Sequence, residues 1–220
     1  MPSTPDFNLI APAYDRLAQL VYGNAQRRAQ AHFLPLIPPE ARVLVVGGGS
    51  GWILGELLRQ SHPAYVLYLE ASSVMLAKAQ EKPLAFPAQV EFRLGTQAQL
   101  LPEEKFHVVL TPFVLDLFTP PEAFSIMQRL DKALYPGGLW LHTDFHQSSS
   151  FRRQLWQKPL LWGMYRFFRW VSRISGQGLP PFEALFIKLG YKPRQEASFY
   201  KGFIKAQVFQ KRASPPSPTN

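Results

Sequence analysis

One short stretch, VLVVGGGSGWILGEL at residues 43–57, constrains the fold of this chain more than any other. Four apolar residues run into five small ones, and a pattern typical of a helix starts directly afterwards. Glycine allows a tight backbone turn and the close approach of a ligand that a Cβ would block. A buried strand that enters such a turn at a helix N-terminus is typical of a site for a nucleotide-like ligand.

The spacing of the glycines narrows the kind of ligand. Gly47, Gly49 and Gly51 form a G-x-G-x-G pattern, whereas the dinucleotide-binding fingerprint is G-x-G-x-x-G. Trp52 occupies the position of the last glycine of that fingerprint, and its bulk disfavours the close helix–strand contact of an NAD site. No lysine follows the loop as it does in a phosphate-binding P-loop. A tight turn that binds no ligand stays open as the alternative.

An acidic residue follows at the distance that a ribose site requires. Glu70 ends the next apolar run, VLYLEAS, roughly 20 residues beyond the loop, where an acid accepts hydrogen bonds from ribose hydroxyls. A glutamate at a strand end can also cap the next helix, but the pairing with the glycine turn favours ribose. The sequence therefore predicts a ligand that contains a nucleoside and does not require a pyrophosphate.

Strand and helix patterns alternate along most of the chain. The predicted strands are continuous apolar runs, as expected where helices cover both faces of a parallel sheet. The C-terminal ASFYKGFIKAQVFQK differs, because it reads as two strands around Lys201–Gly202 and hence as an antiparallel hairpin. We predict an α/β fold with a doubly wound, Rossmann-like sheet, mostly parallel with that hairpin at its end and helices on both faces. The predicted strands are 43–46, 65–69, 90–94, 106–110 and 139–143, and the predicted helices are 13–34, 50–60, 72–80 and 121–134.

Length and composition indicate a globular protein. The chain has 220 residues, 46% of them hydrophobic, which is enough for one well-buried domain. We predict a single domain over residues 1–212, with a helical insertion over 150–190, and a disordered proline- and serine-rich tail over 213–220. The absence of cysteine excludes a thiolate nucleophile and disulfides. With no recognisable signal peptide, the sequence predicts a cytoplasmic protein.

These segments together resemble the class I S-adenosylmethionine-dependent methyltransferases, nearest to the ubiquinone- and menaquinone-biosynthesis enzymes and their small-molecule relatives. FNLIAPAYDRL is similar to their N-terminal segment and VLVVGGGSG to their glycine motif. LEASSVML resembles their second-strand acid and following helix, and LYPGGLW resembles the turn before their fifth strand. The resemblance covers nearly the whole chain. It implies methyl transfer from S-adenosylmethionine to a small, apolar or aromatic acceptor.

The resemblance also implies which residues contact the cofactor. It assigns them to the methionine part, the ribose and the adenine of S-adenosylmethionine, and to the floor between cofactor and substrate. The implied contacts are Gly47, Gly49 and Gly51 for the methionine part, Glu70 for the ribose, Ser72 and Met75 for the adenine ring, Thr96 and Gln97 for its amino group, Thr111 for the floor, and Tyr14 as a residue that closes over the cofactor.

Two positions depart from the pattern of that family. Val45 stands where the family usually has an acid near the methionine ammonium, and Thr96 stands where an acid usually receives the adenine amino group. A lost charge-assisted hydrogen bond is worth about 1.5–3 kcal/mol, so we expect weakened cofactor binding. A catalytically silent S-adenosyl-ligand-binding protein of the same fold therefore stays open. An RNA-modifying methyltransferase, suggested by the net charge of +9, comes third because no RNA-binding module is recognisable.

Candidate proton acceptors follow the later strands, whose carboxyl ends are where ligands bind in such sheets. Asp116 follows the fourth strand, and the alternation in HTDFH places His142, Asp144 and His146 on one face of the fifth. A general base is needed only if the acceptor must lose a proton. The alternative is that His142 is a core histidine with its hydrogen bonds satisfied and that Asp144 caps a helix. We predict no metal ion.

The insertion carries a basic aromatic helix over residues 159–174. No acid lies between Asp144 and Glu183, whereas six basic residues do. Trp162 and Arg166 fall on one helical stripe with Arg169 and Arg173, opposite an apolar stripe. This pattern fits a lid over an apolar acceptor, peripheral contact with a membrane surface, or a plain covering helix, and these alternatives stay open. The oligomeric state is not indicated.

Overall fold

The computed structural model describes residues 23–84, 89–148, 151–172 and 178–213. Strands and helices alternate along these residues up to the fifth strand, and the last two strands form a hairpin. The strands are β1 (Arg42–Val46), β2 (Tyr65–Glu70), β3 (Val90–Leu94), β4 (Phe106–Pro112), β5 (Leu134–Phe145), β6 (Lys192–Phe199) and β7 (Ile204–Gln210). The helices are α1 (Ala25–Ala31), α2 (Trp52–Ser61), α3 (Ser73–Gln80), α4 (Pro120–Ala133), α5 (Phe151–Ser172) and α6 (Phe182–Lys188).

All seven strands form one sheet in the order β3-β2-β1-β4-β5-β7-β6. Neighbours from β3 to β5 pair in parallel, whereas β7 pairs antiparallel with both β5 and β6. The strand order turns back between β1 and β4, which is the place where ligands bind in open α/β sheets. The prediction of a mostly parallel Rossmann-like sheet with a C-terminal antiparallel hairpin is confirmed.

Both faces of the sheet are buried, which explains why the strands read as continuous apolar runs. In β1, Val43 and Val45 pack on the same side as α2, and Leu44 and Val46 pack on the side of α4 and α6. Successive side chains of a strand point to opposite faces, so a strand covered on both sides must be apolar at every position. The core of the protein is therefore two layers separated by the sheet.

Several predicted boundaries differ from the structure by one to five residues. The described part of the first helix ends at Ala31 rather than at residue 34, because Pro35 has no N–H to donate to the carbonyl of Ala31. The second helix begins at Trp52 because Gly51 has a left-handed φ of +86°. Strand β5 begins at Leu134 rather than at residue 139. The predicted turn thus lies inside β5, beside a register shift in its pairing with β4.

Helix α5 packs against the start of β7 and the residues that precede it. Trp156 contacts the rings of Tyr200 and Phe203, and Leu161 is buried. Leu155 and Trp162 are more than half exposed, and the Arg166 guanidinium lies 5.6 Å from the centre of the Trp162 ring. No helix within the described ranges is long and apolar enough to cross a membrane. Residues 1–22 and 214–220 lie outside the described residues, so the predicted start of the domain, the disordered tail and most of the N-terminal segment stay predictions.

Candidate functional site

The glycine loop between β1 and α2 has the left-handed backbone that only glycine adopts easily. Gly47 and Gly49 have φ values of +67° and +64°. A Cβ at Gly49 would meet no atom within 4 Å, so this side of the loop faces open space. At Gly48, by contrast, a Cβ would overlap the ring of Tyr68, whose hydroxyl donates to the Gly49 carbonyl at 2.9 Å. Tyr68 was not predicted as a supporting residue of this loop.

Glu70 connects the loop to the end of β2. Its Oε2 accepts a hydrogen bond from the Gly49 amide at 3.0 Å, and its Oε1 accepts one from the Ser72 amide at 2.9 Å. Burial raises the pKa of this carboxyl group, and the backbone amides that donate to it counteract the effect. A carboxylate offers about four acceptor positions. The amides of Gly49, Ser72 and Ala71 do not use all of them, so acceptor capacity remains for a ribose hydroxyl. Glu70 is thus a clamp on the loop as well as the acid that the ribose prediction requires.

Gly51 serves a packing role that the sequence did not reveal. A Cβ at this position would lie 2.8 Å from the Cα and Cβ of Ala79 in α3. The N-terminus of α2 therefore approaches α3 closely, and Gly51 makes this approach possible. Its predicted place beneath the methionine part of the cofactor stays a prediction.

The predicted adenine contacts lie in two loops beyond β2 and β3. Ser72 is buried and caps α3, accepting from the amide of Met75, which is itself buried. Thr96 caps the short 3-10 helix Gln97–Gln99, because its Oγ1 accepts from Ala98 while its own amide donates to the Gln99 side chain. Side-chain caps at these two positions explain the local backbone without a ligand. The assigned contacts of Ser72, Met75, Thr96 and Gln97 with adenine stay predictions, and Tyr14 lies outside the described residues.

A buried polar chain links β4 to β5. Trp140 Nε1 donates to Thr111 Oγ1 at 2.9 Å, and Thr111 Oγ1 lies 3.2 Å from Nδ1 of His142. Burial lowers the pKa of His142 to about 3, so the imidazole is neutral at physiological pH. Its Nε2 is buried and has no hydrogen-bond partner within the described part of the chain. His142 is thus not a fully satisfied core histidine.

Asp116 and Asp144 form a buried carboxyl pair beside His142. The Asp116 amide donates to Asp144 Oδ2 at 3.3 Å, the Phe145 amide donates to Asp144 Oδ1 at 2.8 Å, and the two carboxyl groups share a hydrogen bond. Both are at most 2% exposed. Burial raises the pKa of Asp116 to about 7, and burial together with Asp116 raises that of Asp144. The pair therefore holds at least one proton near neutral pH. Asp144 does not simply cap a helix.

A cleft of about 540 Å³ opens beside this pair. Its floor consists of β5 and β7, and its opposite wall consists of the segment 179–187, which includes the start of α6. The size is that of a small-molecule pocket. Within the described ranges, no group of three or more acidic or histidine side chains could hold a metal ion. The cleft is lined by His142, Asp144, Phe145, His146, Gln147, Leu179, Pro180, Pro181, Phe182, Glu183, Ala184, Ile187, Lys205 and Gln207.

The structure thus brings some predicted residues together and adds others. His142, Asp144 and His146 share one cleft, as the alternation in HTDFH predicted, and Asp116 joins them through Asp144. Lys205 and Gln207 were not predicted, whereas the wall over residues 179–187 belongs to the insertion over 150–190 that the sequence assigned to the substrate side. The register supplies the missing signal, because His142 lies opposite Gln207 and Asp144 opposite Lys205. Only a prediction of the β5–β7 pairing could have found them from the sequence.

Comparison with known proteins finds one matching family model and several solved structures of similar fold. Residues 43–138 match a family model described as a methyltransferase domain. No curated protein matches the chain. A chain in the complex of the Haloferax volcanii Trm112 methyltransferase activator with a proposed methyltransferase superposes with a TM-score of 0.69 at 14% identity, covering 96% of this chain and 99% of that one.

Two further solved structures have the same fold. Burkholderia thailandensis 1,6-didemethyltoxoflavin-N1-methyltransferase, with bound 1,6-didemethyltoxoflavin and S-adenosylhomocysteine, gives a TM-score of 0.65 at 16% identity over 92% of this chain and 85% of that one. Human N-acetylserotonin methyltransferase, in complex with S-adenosylmethionine, gives 0.66 at 19% identity over 91% of this chain. This chain spans 55% of the human one.

At these identities the structural likeness shows the fold, and the model of a methyltransferase domain matches residues 43–138, which are less than half of the chain. The predictions of a methyltransferase and of S-adenosylmethionine as its cofactor are confirmed at the level of this domain. The loop also fits the cofactor: Gly49 leaves open space where a side chain would lie, and Glu70 keeps acceptor positions for a ribose.

Proposed function

We propose that this chain transfers the methyl group of S-adenosylmethionine to a small, apolar or aromatic acceptor, as in the ubiquinone and menaquinone branch that its sequence resembles. The observation that carries the proposal is the hydrogen bond from the Gly49 amide to Glu70. This bond joins the acid that would hold a ribose to a loop whose open side faces free space. The loop and the acid are thereby arranged for a ligand before it arrives.

The cofactor supplies a methyl group that its sulfonium already activates, so the residues of the chain have to bind, orient and exclude water. Glu70 and the loop from Gly47 to Gly49 would hold the adenosyl and methionine parts. Phe113 and Leu115, which follow β4, are buried and would keep water from this edge of the sheet. The Asp116–Asp144 pair is placed to accept a proton when the acceptor has one to lose.

The acceptor is proposed to be small because the cleft beside Asp144 has the volume of a small-molecule pocket. Its walls include Phe145, Phe182 and Ile187, which favour an apolar or aromatic ring over a sugar. Two of the solved relatives are methyltransferases of small ring compounds, 1,6-didemethyltoxoflavin and N-acetylserotonin. Similarity to these two structures supports a small ring compound as the acceptor but does not indicate which compound it is.

Thermal unfolding of the purified protein with S-adenosylmethionine, S-adenosylhomocysteine or NAD tests this proposal. A ligand at about 100 times its dissociation constant adds about 2.7 kcal/mol to the free energy of unfolding. For a chain of this length, that should raise the unfolding midpoint by roughly 5–10 °C. We expect the increase with both S-adenosyl ligands and none with NAD.

Glu70→Ala should abolish the increase, because it removes both the ribose acceptor and the clamp on the loop. Glu70→Gln keeps one acceptor oxygen and should retain part of it. Glu81→Ala, at an exposed glutamate just beyond α3, is the matched control and should behave like the original protein. Absence of any shift with millimolar S-adenosylhomocysteine would contradict the proposal and favour a methyltransferase fold that has lost cofactor binding.

A further inference from the structure

The cleft between β5, β7 and the segment 179–187 carries more information than its size. Two of its polar groups are almost fully buried, His142 at 1% and Asp144 at 2% exposure. Buried polar groups in proteins are normally hydrogen-bonded and buried charges are normally paired. His142 Nε2 has no hydrogen-bond partner among the described residues, whereas Asp144 is hydrogen-bonded but has no cation beside it. These two features indicate the chemistry of a ligand that the cleft could bind.

Asp144 lacks a cation. Lys205 lies directly opposite it on β7, but the Lys205 Nζ is 3.3 Å from the carboxylate of Glu196 on β6. None of the ion pairs found among the described residues involves Asp144, whose carboxyl instead shares a proton with Asp116. Lys205 also lines the cleft, but its charge is already paired with that of Glu196. A positive group on a ligand would offset the charge that the pair acquires when it loses its proton.

The other charged residues of the cleft also favour a positively charged ligand. Glu183 adds a second acid to the lining, and Lys205 is matched by Glu196. His142 is neutral, because burial holds its pKa at about 3, and burial also lowers the pKa of His146. The cleft is thus an acidic site on a protein whose net charge is +9. An anionic ligand would meet the acids, whereas a cationic one would complement them.

The walls define the shape of the ligand. The ring of Phe182 packs edge-on against His142 with centroids 4.6 Å apart, and Pro180, Pro181 and Ile187 continue this wall. His142 and Asp144 lie two residues apart on one face of β5, which is about 7 Å along a strand. A six-membered ring spans such a distance. One end of the ligand would then reach Asp144 while the other offers a hydrogen-bonding atom to His142 Nε2.

We propose that this cleft binds a flat aromatic molecule that carries a basic amine, with the amine against Asp144 and the ring against Phe182. The inference rests on the proposed function in one respect: such a molecule would be the methyl acceptor. As a binding site, the cleft can be tested without the cofactor. The proposal therefore extends the sequence-based prediction of an apolar or aromatic acceptor to a class defined by its charge.

Three probes that share one ring separate charge from shape: benzylamine, benzyl alcohol and benzoate. Their binding to the protein without cofactor can be followed by saturation-transfer NMR titration at about pH 8. This is above the pKa of about 7 to which burial raises that of Asp116, so the Asp116–Asp144 pair carries a negative charge there. We expect benzylamine to bind about ten-fold more tightly than benzyl alcohol, which corresponds to about 1.4 kcal/mol. We expect no binding of benzoate.

Asp144→Asn keeps the shape of the side chain and removes the carboxyl group that shares the charge of the pair and faces the cleft. We expect it to abolish the preference for benzylamine while benzyl alcohol still binds. Glu103→Gln, at an exposed acid far from the cleft in sequence, is the matched control and should keep the preference. The unfolding midpoint of each variant with S-adenosylhomocysteine reports separately on the fold and on the cofactor site.

Equal or tighter binding of benzyl alcohol or benzoate would overturn the proposal, and so would an unchanged preference in Asp144→Asn. Failure of all three probes to bind at millimolar concentration would also overturn it. If the amine preference is present but S-adenosylhomocysteine gives no thermal shift, the cleft proposal stands and the proposed function fails. If S-adenosylhomocysteine gives a thermal shift but benzylamine is not preferred, the proposed methyltransferase function stands and the proposal of an amine ligand fails.

Discussion

Glu70 ends β2 and Asp144 lies near the end of β5, so both acids are at the carboxyl edge of the same sheet, and both are buried. Glu70 accepts two hydrogen bonds from the amides of Gly49 and Ser72. Asp144 also accepts backbone hydrogen bonds, but its side chain faces a second carboxyl group. The first acid lies among donors, whereas the second lies beside another acid.

This difference shows that the two regions at the carboxyl edge of the sheet are arranged for a ligand in different ways. Around Glu70, the protein supplies the donors itself and fixes the loop in one conformation, which reduces the cost of ordering it when a ligand binds. Around Asp144, the protein leaves a shared proton and a neutral imidazole whose Nε2 is buried without a partner among the described residues. We infer that the β1–β2 region is built as a rigid cradle and that the β4–β5 region is built to respond to what binds.

The largest loss of stability is expected at Gly51, where the N-terminus of α2 approaches α3 most closely. Gly51→Ala forces a left-handed φ of +86° on alanine and places its Cβ 2.8 Å from the backbone of Ala79. Strain and overpacking together should lower the free energy of unfolding by about 2–4 kcal/mol. Chemical denaturation measures this directly.

Two matched glycines serve as controls for that substitution. Gly49→Ala has the same kind of backbone strain but no clash, because no atom lies within 4 Å of the added Cβ. It should cost only about 1–2 kcal/mol. Gly55→Ala, exposed inside α2, should stabilise the protein by about 0.5–1 kcal/mol. If Gly51→Ala costs no more than Gly49→Ala, the close contact of α2 with α3 does not hold the cradle in place.

A smaller effect is expected from the carboxyl pair, and it depends on pH. The pKa of Asp116 is raised from 3.8 to about 7 by burial, and that of Asp144 is also raised. Such groups hold protons in the folded state that the unfolded chain has released. Their stabilising contribution is complete below about pH 4 and is lost as the pH rises through about 7. The slope is at most about 1.4 kcal/mol per pH unit for each group.

The measurement is the unfolding midpoint between pH 6.5 and about 8.5, where His142 and His146 are neutral in the folded state because their pKa values are lowered. In the unfolded chain the same histidines still lose protons up to about pH 7.5, which opposes the loss of stability by less than about 1 kcal/mol. Lys205 and Glu183 are the charged side chains that also face the pair. We expect the original protein to lose about 1–2 kcal/mol over this range. Asp144→Asn should flatten the curve. If the unfolding midpoint of the original protein rises with pH, the Asp116–Asp144 pair does not carry a charge that lacks a neighbouring cation.

The cradle was largely predictable from the sequence, and the cleft was not. Val43 to Glu70 contain a strand, a turn, a helix and a second strand in direct succession, so local patterns of polarity and glycine indicate each element. The separation of the loop from Glu70 is itself a sequence distance. The second role of Glu70 as a clamp could not be predicted, because it depends on which backbone amides face the side chain.

The cleft depends on pairing between distant segments. The alternation in HTDFH placed His142 and Asp144 on one face, but their neighbours come from β7 and from residues 179–187. The periodicity of one strand does not indicate which other strand pairs with it. The Pro-Gly-Gly turn that was predicted to precede β5 lies inside it. The raised pKa of the pair follows from burial, which is a property of the assembled layers.

The smallest loss of stability is expected for Thr96, which lies between Glu70 and Asp144 in the sequence and belongs to neither region. Its Oγ1 accepts from the Ala98 amide at 3.3 Å, so Thr96→Ala removes a cap from a helix of three residues. We expect a loss of about 0.5–1 kcal/mol in the free energy of unfolding. Thr96→Ser keeps the hydroxyl and should restore the stability.

The thermal shift with S-adenosylhomocysteine distinguishes a cap from a cofactor contact at the same position. Because Thr96 Oγ1 is already used by Ala98, we expect Thr96→Ala to leave that shift within about 1 °C of the original, which corresponds to less than about 0.5 kcal/mol of lost binding energy for a chain of this length. A strong decrease that Thr96→Ser reverses would show that the hydroxyl contacts the cofactor as the family resemblance implies. The rigid cradle would then extend from Glu70 to the loop after β3.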